Sequence, residues 1–557
     1  VTAAPAAEEG AGARGFVRRL AAAAHSLRDE LLRDQPLRGG RLDAVAADAE
    51  AQTRACLAVA ARLLGARPPG PPARGGAELR ALLASVDGAA LAAAFAVPDG
   101  DPLLHFYAPF LAAYDGAQRA RRGVWCTPAA VAACTVRSAH VALQREFGLP
   151  GGLADATTWG ELQRRHPRLA LPAGVAAAQP FVQILDPAAG TGTFLVEVVD
   201  VVHRTLRARW AAEGVSAAAA AVRWNAHVRA RLLPALHGRE LLSAPRAVAN
   251  QALRARLRAL GYAGHFGRAI VAPGNALADA ASGALPPGIT VVVGNPPWSY
   301  RSQSLDPASR ALVDPFRTVG GRRIVERGAL VLERALQDDY VKFFALALAA
   351  IERAGAGLFA LVSNAAWLDA PQLRGLRARL CERLHRLRAL DLGGGRVRRE
   401  PGDENLFGIG TGVAIALGAR LPTAKPFALA TAELRGGRAA KTEALARTDL
   451  LAACAPLFRP RGNPLAAGAP FRRPTALDDE YAAWPAVPDV FATTGVGIKT
   501  NRDHVALGFT DAEIEARLRL FMDPARTTRE VGRLLGVADN AQWTVARARA
   551  ACRAGSM

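Results

Sequence analysis

The run VVVGNPPWSY, residues 291–300, decides how the rest of the chain is read. Three valines and Gly294 have the character of a strand buried on both faces, since nothing polar interrupts them. Asn295, Pro296, Pro297 and Trp298 follow at once. Two prolines fix φ and remove two amide donors, leaving the Asn295 side-chain oxygen and the Pro296 carbonyl as acceptors. Both can accept from one planar NH2 group, and the Trp298 indole offers a stacking face for the ring that carries it. A proline-rich turn with a packed tryptophan is the plainer alternative. The place of the motif downstream of a glycine-rich turn argues against it.

Working outward, short apolar runs recur from Phe181: FVQILD, ALHGREL, GRAIVA, ITVVVG, GLFALVS, RALDL and TGVAIALG. Helical segments such as SAPRAVANQALRARLRALG and DDYVKFFALALAAIERAG separate several of them. This alternation predicts an α/β fold with a mostly parallel sheet covered on each side. Ligands of such sheets sit at the carboxyl ends of the strands.

The first run ends in DPAAGTGTFL. Asp186 and Pro187 leave the strand, Ala188 follows, and Gly190 and Gly192 let the backbone turn close to a ligand. Thr193 and Phe194 then open a helix whose N-terminal amides face the site. Glu240, ending the second run, is placed to accept hydrogen bonds from ribose hydroxyls, with a solvated surface acid as its other reading. Asn275, in GNAL after the third, reads equally as a ligand or as a turn amide. Asp338 and Asp339 in LQDDYVKF read as a helix start, with Asp338 four residues before Lys342, rather than as acid-base groups.

At 557 residues the chain is too long for one core, and two or three domains are expected. Residues 1–105 read as helices, 106–425 as the catalytic domain, and 426–557 as a spacer leading into a recognition-like region. Lys+Arg of 70 against Asp+Glu of 49 gives a formal charge of +21, almost all of it arginine, which suits a polyanionic partner. Codon bias is the bland explanation for that arginine, but the acids were not raised to match. Arginine-rich stretches such as VRARLL, RARLRAL and GLRARLCERLHRLR are candidates for phosphate contact, with ordinary solvated helix faces as the alternative. The six cysteines form no close pair, and neither a disulfide framework nor a metal site is expected. No export signal, bilayer-spanning run or G-x-x-x-x-G-K-[ST] loop stands out, so a cytoplasmic protein without a motor is expected.

Taken together, DPAAGTGTF followed by GNPPW resembles the S-adenosylmethionine-dependent adenine-amine DNA methyltransferases. More narrowly, the chain resembles the methyltransferase region of the single-polypeptide Type I (Type ISP) restriction-modification enzymes. The supporting stretches are DPLLHFYAPFLAAYDGAQRARRGVWCTP, LQDDYVKF, DAPQLRGLR, DENLFGIGTGVAI and GVGIKTNRD. The resemblance implies a Rossmann-like sheet, with S-adenosyl-L-methionine held by the Asp186–Gly192 loop, Glu240 on its ribose and Thr127-Pro128 near its methionine end. Asn295 and Pro296 would bind the target amine, Trp298 would stack on the base, and Phe407 would be a second aromatic against it. Trp125 and Cys126 depart from the family's tyrosine-rich G-V-Y-Y-T-P.

The implied partner is double-stranded DNA with a flipped adenine in a prokaryotic cytosol, and a separate subunit is one source of target recognition. Methylation of RNA or of a protein glutamine amide is the alternative chemistry for the same loop. A non-catalytic DNA-binding remnant is the alternative outside enzymology.

Overall fold

The computed structural model describes residues 5–33, 44–63, 76–95, 106–107, 109–115, 127–298, 302, 306–324, 329–396, 400–454, 470–472, 480–481, 483–485, 487–491, 502–539 and 543–553. Trp125, Cys126, Lys499, most of ARPPGPPARGG and most of GVGIKTNRD lie outside them. Compact packing divides the chain into Val1–Arg473 and Pro474–Met557.

The first unit is built on an eight-stranded sheet. Its strands are β1 (Ile184–Asp186), β2 (Leu236–Glu240), β3 (Val271–Pro273), β4 (Val291–Gly294), β7 (Gly357–Asn364), β8 (Arg386–Gly393), β9 (Val413–Arg420) and β10 (Ala428–Glu433). A separate two-residue ribbon pairs β5 (Thr318–Val319) with β6 (Arg322–Arg323). All seven apolar runs form strands; β10 and the ribbon were not anticipated. The spatial order is β10-β8-β9-β7-β4-β1-β2-β3. Every neighbouring pair is parallel except those of β9, which runs antiparallel to both β7 and β8.

The central strands are apolar throughout because both faces are covered. Successive side chains point to opposite faces of a strand, and the two cores sort them accordingly. Ile184, Val291, Val293, Leu358 and Ala360 join one core, packed with the helices Ala129–Phe147 and Thr193–Ala212. Leu185, Val292, Phe359 and Leu361 join the other, with the helix Asp339–Ala354.

The N-terminal helices, Pro5–Arg33, Ala44–Leu63, Ala77–Ala84 and Gly88–Ala94, have a third core. That core also takes in Phe106, Tyr107 and Phe110, and Ala244, Val248 and Ala252 of the helix Ser243–Ala259. The helical region therefore packs directly on a helix that covers the sheet. At the other end, the sheet continues through β10, past residue 425 where the catalytic domain was expected to stop. The second unit holds the helices Asp511–Met522, Thr528–Leu534 and Val545–Arg553 around Val531, Leu535 and Val545. No described helix is long and apolar enough to cross a membrane.

Candidate active site

The strand order reverses between β1 and β4, and the crevice at such a switch point is where open α/β sheets bind ligands. β1 ends in the fully buried Asp186. Its Oδ1 accepts the Ala188 amide at 3.1 Å, and its Oδ2 has no partner. Burial pushes this carboxyl up to about 8; the Ala188 hydrogen bond opposes the rise and the Glu240 charge adds to it.

The chain then turns through Gly190 (φ +53°) and Gly192 (φ +93°), left-handed conformations that glycine adopts without a Cβ penalty. The two differ in what surrounds them. A Cβ on Gly192 would stand 3.1 Å from that of Ala249, whereas one on Gly190 would meet nothing within 4 Å. Gly192 thus serves close helix packing, and Gly190 opens onto a cleft. The Gly190 amide donates to Glu240 Oε2 at 2.9 Å, and the Leu242 amide donates to Oε1 at 2.8 Å. Glu240 therefore ties the turn after β1 to the end of β2.

β4 delivers the Asn-Pro-Pro-Trp loop beside this turn. A Cβ on Gly294 would lie 2.8 Å from Asp186 Oδ1 and 3.6 Å from Pro187 Cδ, so the glycine before Asn295 lets the ends of β1 and β4 close together. Asn295 Nδ2 donates to Thr127 Oγ1 at 3.0 Å, and its Oδ1 is buried without a partner among the described residues. An unpaired buried acceptor costs ~1–3 kcal/mol. The Pro296 carbonyl accepts no described backbone amide.

Trp298 and Phe407 have ring centroids 5.4 Å apart with planes at 58°. Phe407 is held by Asn405, whose Oδ1 accepts the Phe407 amide at 2.8 Å. Asn405 Nδ2 donates in turn to the carbonyls of Gly394 and Thr411, at 3.2 and 2.8 Å.

Of the residues singled out from sequence, Thr127, Ala188, Gly190, Phe194, Glu240 and Asn295 line one cleft. Asp186, Pro187 and Gly192 stand behind it, shaping the turn. Pro128 precedes the helix Ala129–Phe147, and its carbonyl accepts the Val131 and Ala132 amides. Asn275 is not brought to the cleft: its Oδ1 caps the helix Ala276–Ser282 by accepting the Leu277 amide at 3.1 Å. Thr193, expected to open the helix facing the site, lines the cleft as well, while Tyr107, Ala189, Thr191, Leu242 and Pro245 also line it and were missed. The threonines sit in the glycine-rich motif itself, so that motif was the available signal for them.

Several arginines considered for DNA contact are committed within the fold. Arg377 is buried and donates to the carbonyls of Trp367 and Ala370, and Arg388 pairs with Glu146 at 2.7 Å. Arg254 and Arg258 lie over the Phe266 ring. Arg229 is exposed. Asp338 and Asp339 form the expected helix start, Asp338 at the N-cap and Asp339 in the first turn, and Asp339 pairs with Lys342 at 3.7 Å.

No protein-family model matches the chain, and no curated protein matches it. Solved structures do. The DrdV–DNA complex matches with a TM-score of 0.58 at 17% identity, over 92% of this chain and 52% of that one. The ATP-dependent Type ISP restriction-modification enzyme LlaBIII bound to DNA matches with 0.59 at 16%, over 92% and 35%. A nuclease-deletion mutant of the Type ISP enzyme LlaGI, with a DNA substrate mimic, matches with 0.59 at 15%, over 93% and 42%. This chain thus spans about half or less of each. Over nearly all of its length, it has the fold of a segment of the Type ISP restriction-modification enzymes.

Proposed function

We propose that the chain transfers a methyl group from S-adenosyl-L-methionine to the exocyclic N6 amine of adenine in double-stranded DNA, with the adenine extruded from the helix. One observation carries this reading: Asn295 Oδ1 is a buried acceptor without a partner among the described residues, on a loop at the switch point of the sheet. The cleft beside it suits the cofactor. Gly190 leaves open space where a side chain would stand, the helix Thr193–Ala212 begins there without a side-chain cap, and Glu240 presents a carboxylate at the end of β2. When bound, the cofactor supplies an electrophilic methyl group.

The chain's own residues do the rest by positioning. Adenine N6 is paired inside a duplex, so extrusion gives access to it. Its lone pair is delocalised into the ring. Asn295 Oδ1 and the Pro296 carbonyl accept hydrogen bonds from its two N–H groups and localise that pair towards the methyl group, and the methylated nitrogen then gives one proton up to water. Thr127 engages the donor end of the Asn295 amide and leaves Oδ1 to accept. Trp298 and Phe407 flank the ring.

The fold shared with LlaBIII and LlaGI, both seen with DNA or a DNA mimic, supports duplex DNA as the substrate. The site of action is assigned to prokaryotic cytosolic DNA in a restriction-modification or defence role. Sequencing of modified bases in DNA from cells expressing the chain, beside Asn295→Ala, tests this. Methylated adenines in a short motif are expected with the wild type alone. Modified cytosines, or methylation of RNA or of protein glutamine with DNA untouched, would overturn it.

A further inference from the structure

Seven residues beyond Asn295, the segment that carries the Asn-Pro-Pro-Trp loop meets the start of the helix Asp339–Ala354. Lys342 is fully buried there. Its Nζ donates to Ser302 Oγ at 2.7 Å, and that hydroxyl donates to Asp339 Oδ1 at 2.5 Å. Asp339 and Lys342 also form an ion pair at 3.7 Å, with side chains 8% and 0% exposed. Burial lowers the Lys342 ammonium and the Asp339 carboxylate raises it again.

Stability alone is a poor reason for this arrangement. A buried ammonium loses several kcal/mol of hydration, and replacing a buried ion pair by apolar residues of like volume is often neutral or stabilising. The helix has apolar material in plenty, burying Val341, Phe343, Phe344 and Leu346. What the charges do accomplish is specific. An ammonium only donates and a carboxylate only accepts, so the group that bridges them must do both. A hydroxyl does so, and Ser302 is bound in one place.

We propose that Ser302, Asp339 and Lys342 form a staple that positions the Asn295–Trp298 loop, which makes Ser302 and Lys342 positioning residues for methyl transfer; this rests on the function proposed above. The loop is then fixed at three points: Gly294 against Asp186, Asn295 on Thr127, and Ser302 on the helix. Pro296 and Pro297 fix φ directly after Asn295. In the proposed staple, a shift at Ser302 reaches the amine-binding acceptors.

The test uses the full chain, in single-turnover methyl transfer from S-adenosyl-L-methionine to unmethylated bacterial genomic DNA. Cofactor affinity, melting temperature and hydrogen exchange of the Asn295, Trp298 and Ser302 amides are followed alongside. Misplacement of reacting groups by ~1 Å costs ~10²-fold, and a rate loss of that order is expected for Ser302→Ala, with unchanged cofactor affinity and faster exchange. Ser302→Thr keeps the bridging hydroxyl and should recover most of the rate. The double variant Asp339→Leu with Lys342→Met removes both charges and should stay folded with the same loss.

A full rate in Ser302→Ala, or in the folded double variant, overturns the staple. So does a parallel fall of rate, cofactor affinity and melting temperature, which marks a merely structural role. Should the wild type transfer no methyl group at all, the proposed function fails and exchange alone decides: unchanged protection in Ser302→Ala overturns the staple, and faster exchange upholds it.

Discussion

Asn295 and Thr127, 168 positions apart in sequence, meet at 3.0 Å, with the asparagine Nδ2 donating to the threonine Oγ1. That bond spends the amide's donor end on the protein and leaves its acceptor end unpaired. Thr127→Val should slow methyl transfer by about fivefold, the equivalent of one net hydrogen bond of ~1 kcal/mol, while Thr127→Ser stays near the wild type. Asn295→Ala should cost ~10²–10³-fold, as loss of a preorganised polar group at a reacting centre does. Because the two act through one acceptor, the double variant should be no slower than Asn295→Ala. Single-turnover rates on all four variants check this.

The glycines around the turn should separate packing from binding. Gly190→Ala meets open space but holds a left-handed φ, so about 1 kcal/mol of stability is lost and the larger effect falls on cofactor affinity. Gly192→Ala adds a contact at 3.1 Å with Ala249, and Gly294→Ala one at 2.8 Å with Asp186 Oδ1, so both should lower the melting temperature more than Gly190→Ala. Calorimetric titration with S-adenosyl-L-methionine beside thermal melts gives both readouts.

How much of this was legible depended on how local each signal was. Val291–Val293 announce a central strand because all three side chains are fully buried, which demands an unbroken apolar run. ALATAE, which forms β10 at the edge, has half-buried Ala428, Thr431 and Ala432 and an exposed Glu433, and its alanines carry little strand preference. The Asn295 acceptor was readable because consecutive prolines strip donors from a backbone wherever they stand. Thr127 came only from family resemblance, since a contact across 168 residues leaves no trace in spacing. Tyr107 left no local signal, because it stands among apolar neighbours that are themselves buried, Phe106 and Phe110 among them. Asn275 failed to reach the cleft because a helix cap and a ligand amide present the same residue after the same glycine. The helix start at Asp338 and Asp339 was legible because paired acids ahead of an apolar run suit a helix N-terminus, and Asp339 adds the i,i+3 pair with Lys342.

Asp186 should make stability fall as pH rises. Its folded-state value of about 8 lies above the ordinary carboxylate range near 3.8. Between those values the folded chain holds a proton that the unfolded chain has released, so this group subtracts about 1.4 kcal/mol per pH unit. Its contribution is fully present below about pH 4 and is lost as pH climbs through 8. Asp186→Asn, always neutral, should lack this component. The difference in unfolding free energy between the two proteins, taken from denaturant titrations at pH 5, 6, 7 and 8, should shift steadily in favour of the variant. A flat difference would mean that Asp186 is ionised in the folded protein throughout.

The contact between Trp298 and Phe407 has a separate consequence for DNA. Centroids 5.4 Å apart at 58° leave no room for a third ring between them, so a base that stacks on Trp298 must part the pair. Base–aromatic stacking contributes ~1–3 kcal/mol, so Trp298→Ala should weaken productive DNA binding by about 5–150-fold with cofactor affinity intact. Phe407→Ala removes a competitor for the indole as well as a partner for the base, and its loss should be smaller than that of Trp298→Ala. Asn405→Ala, which frees the Phe407 amide, should behave like Phe407→Ala; apparent KM for DNA and calorimetric cofactor affinity on the three variants distinguish these outcomes.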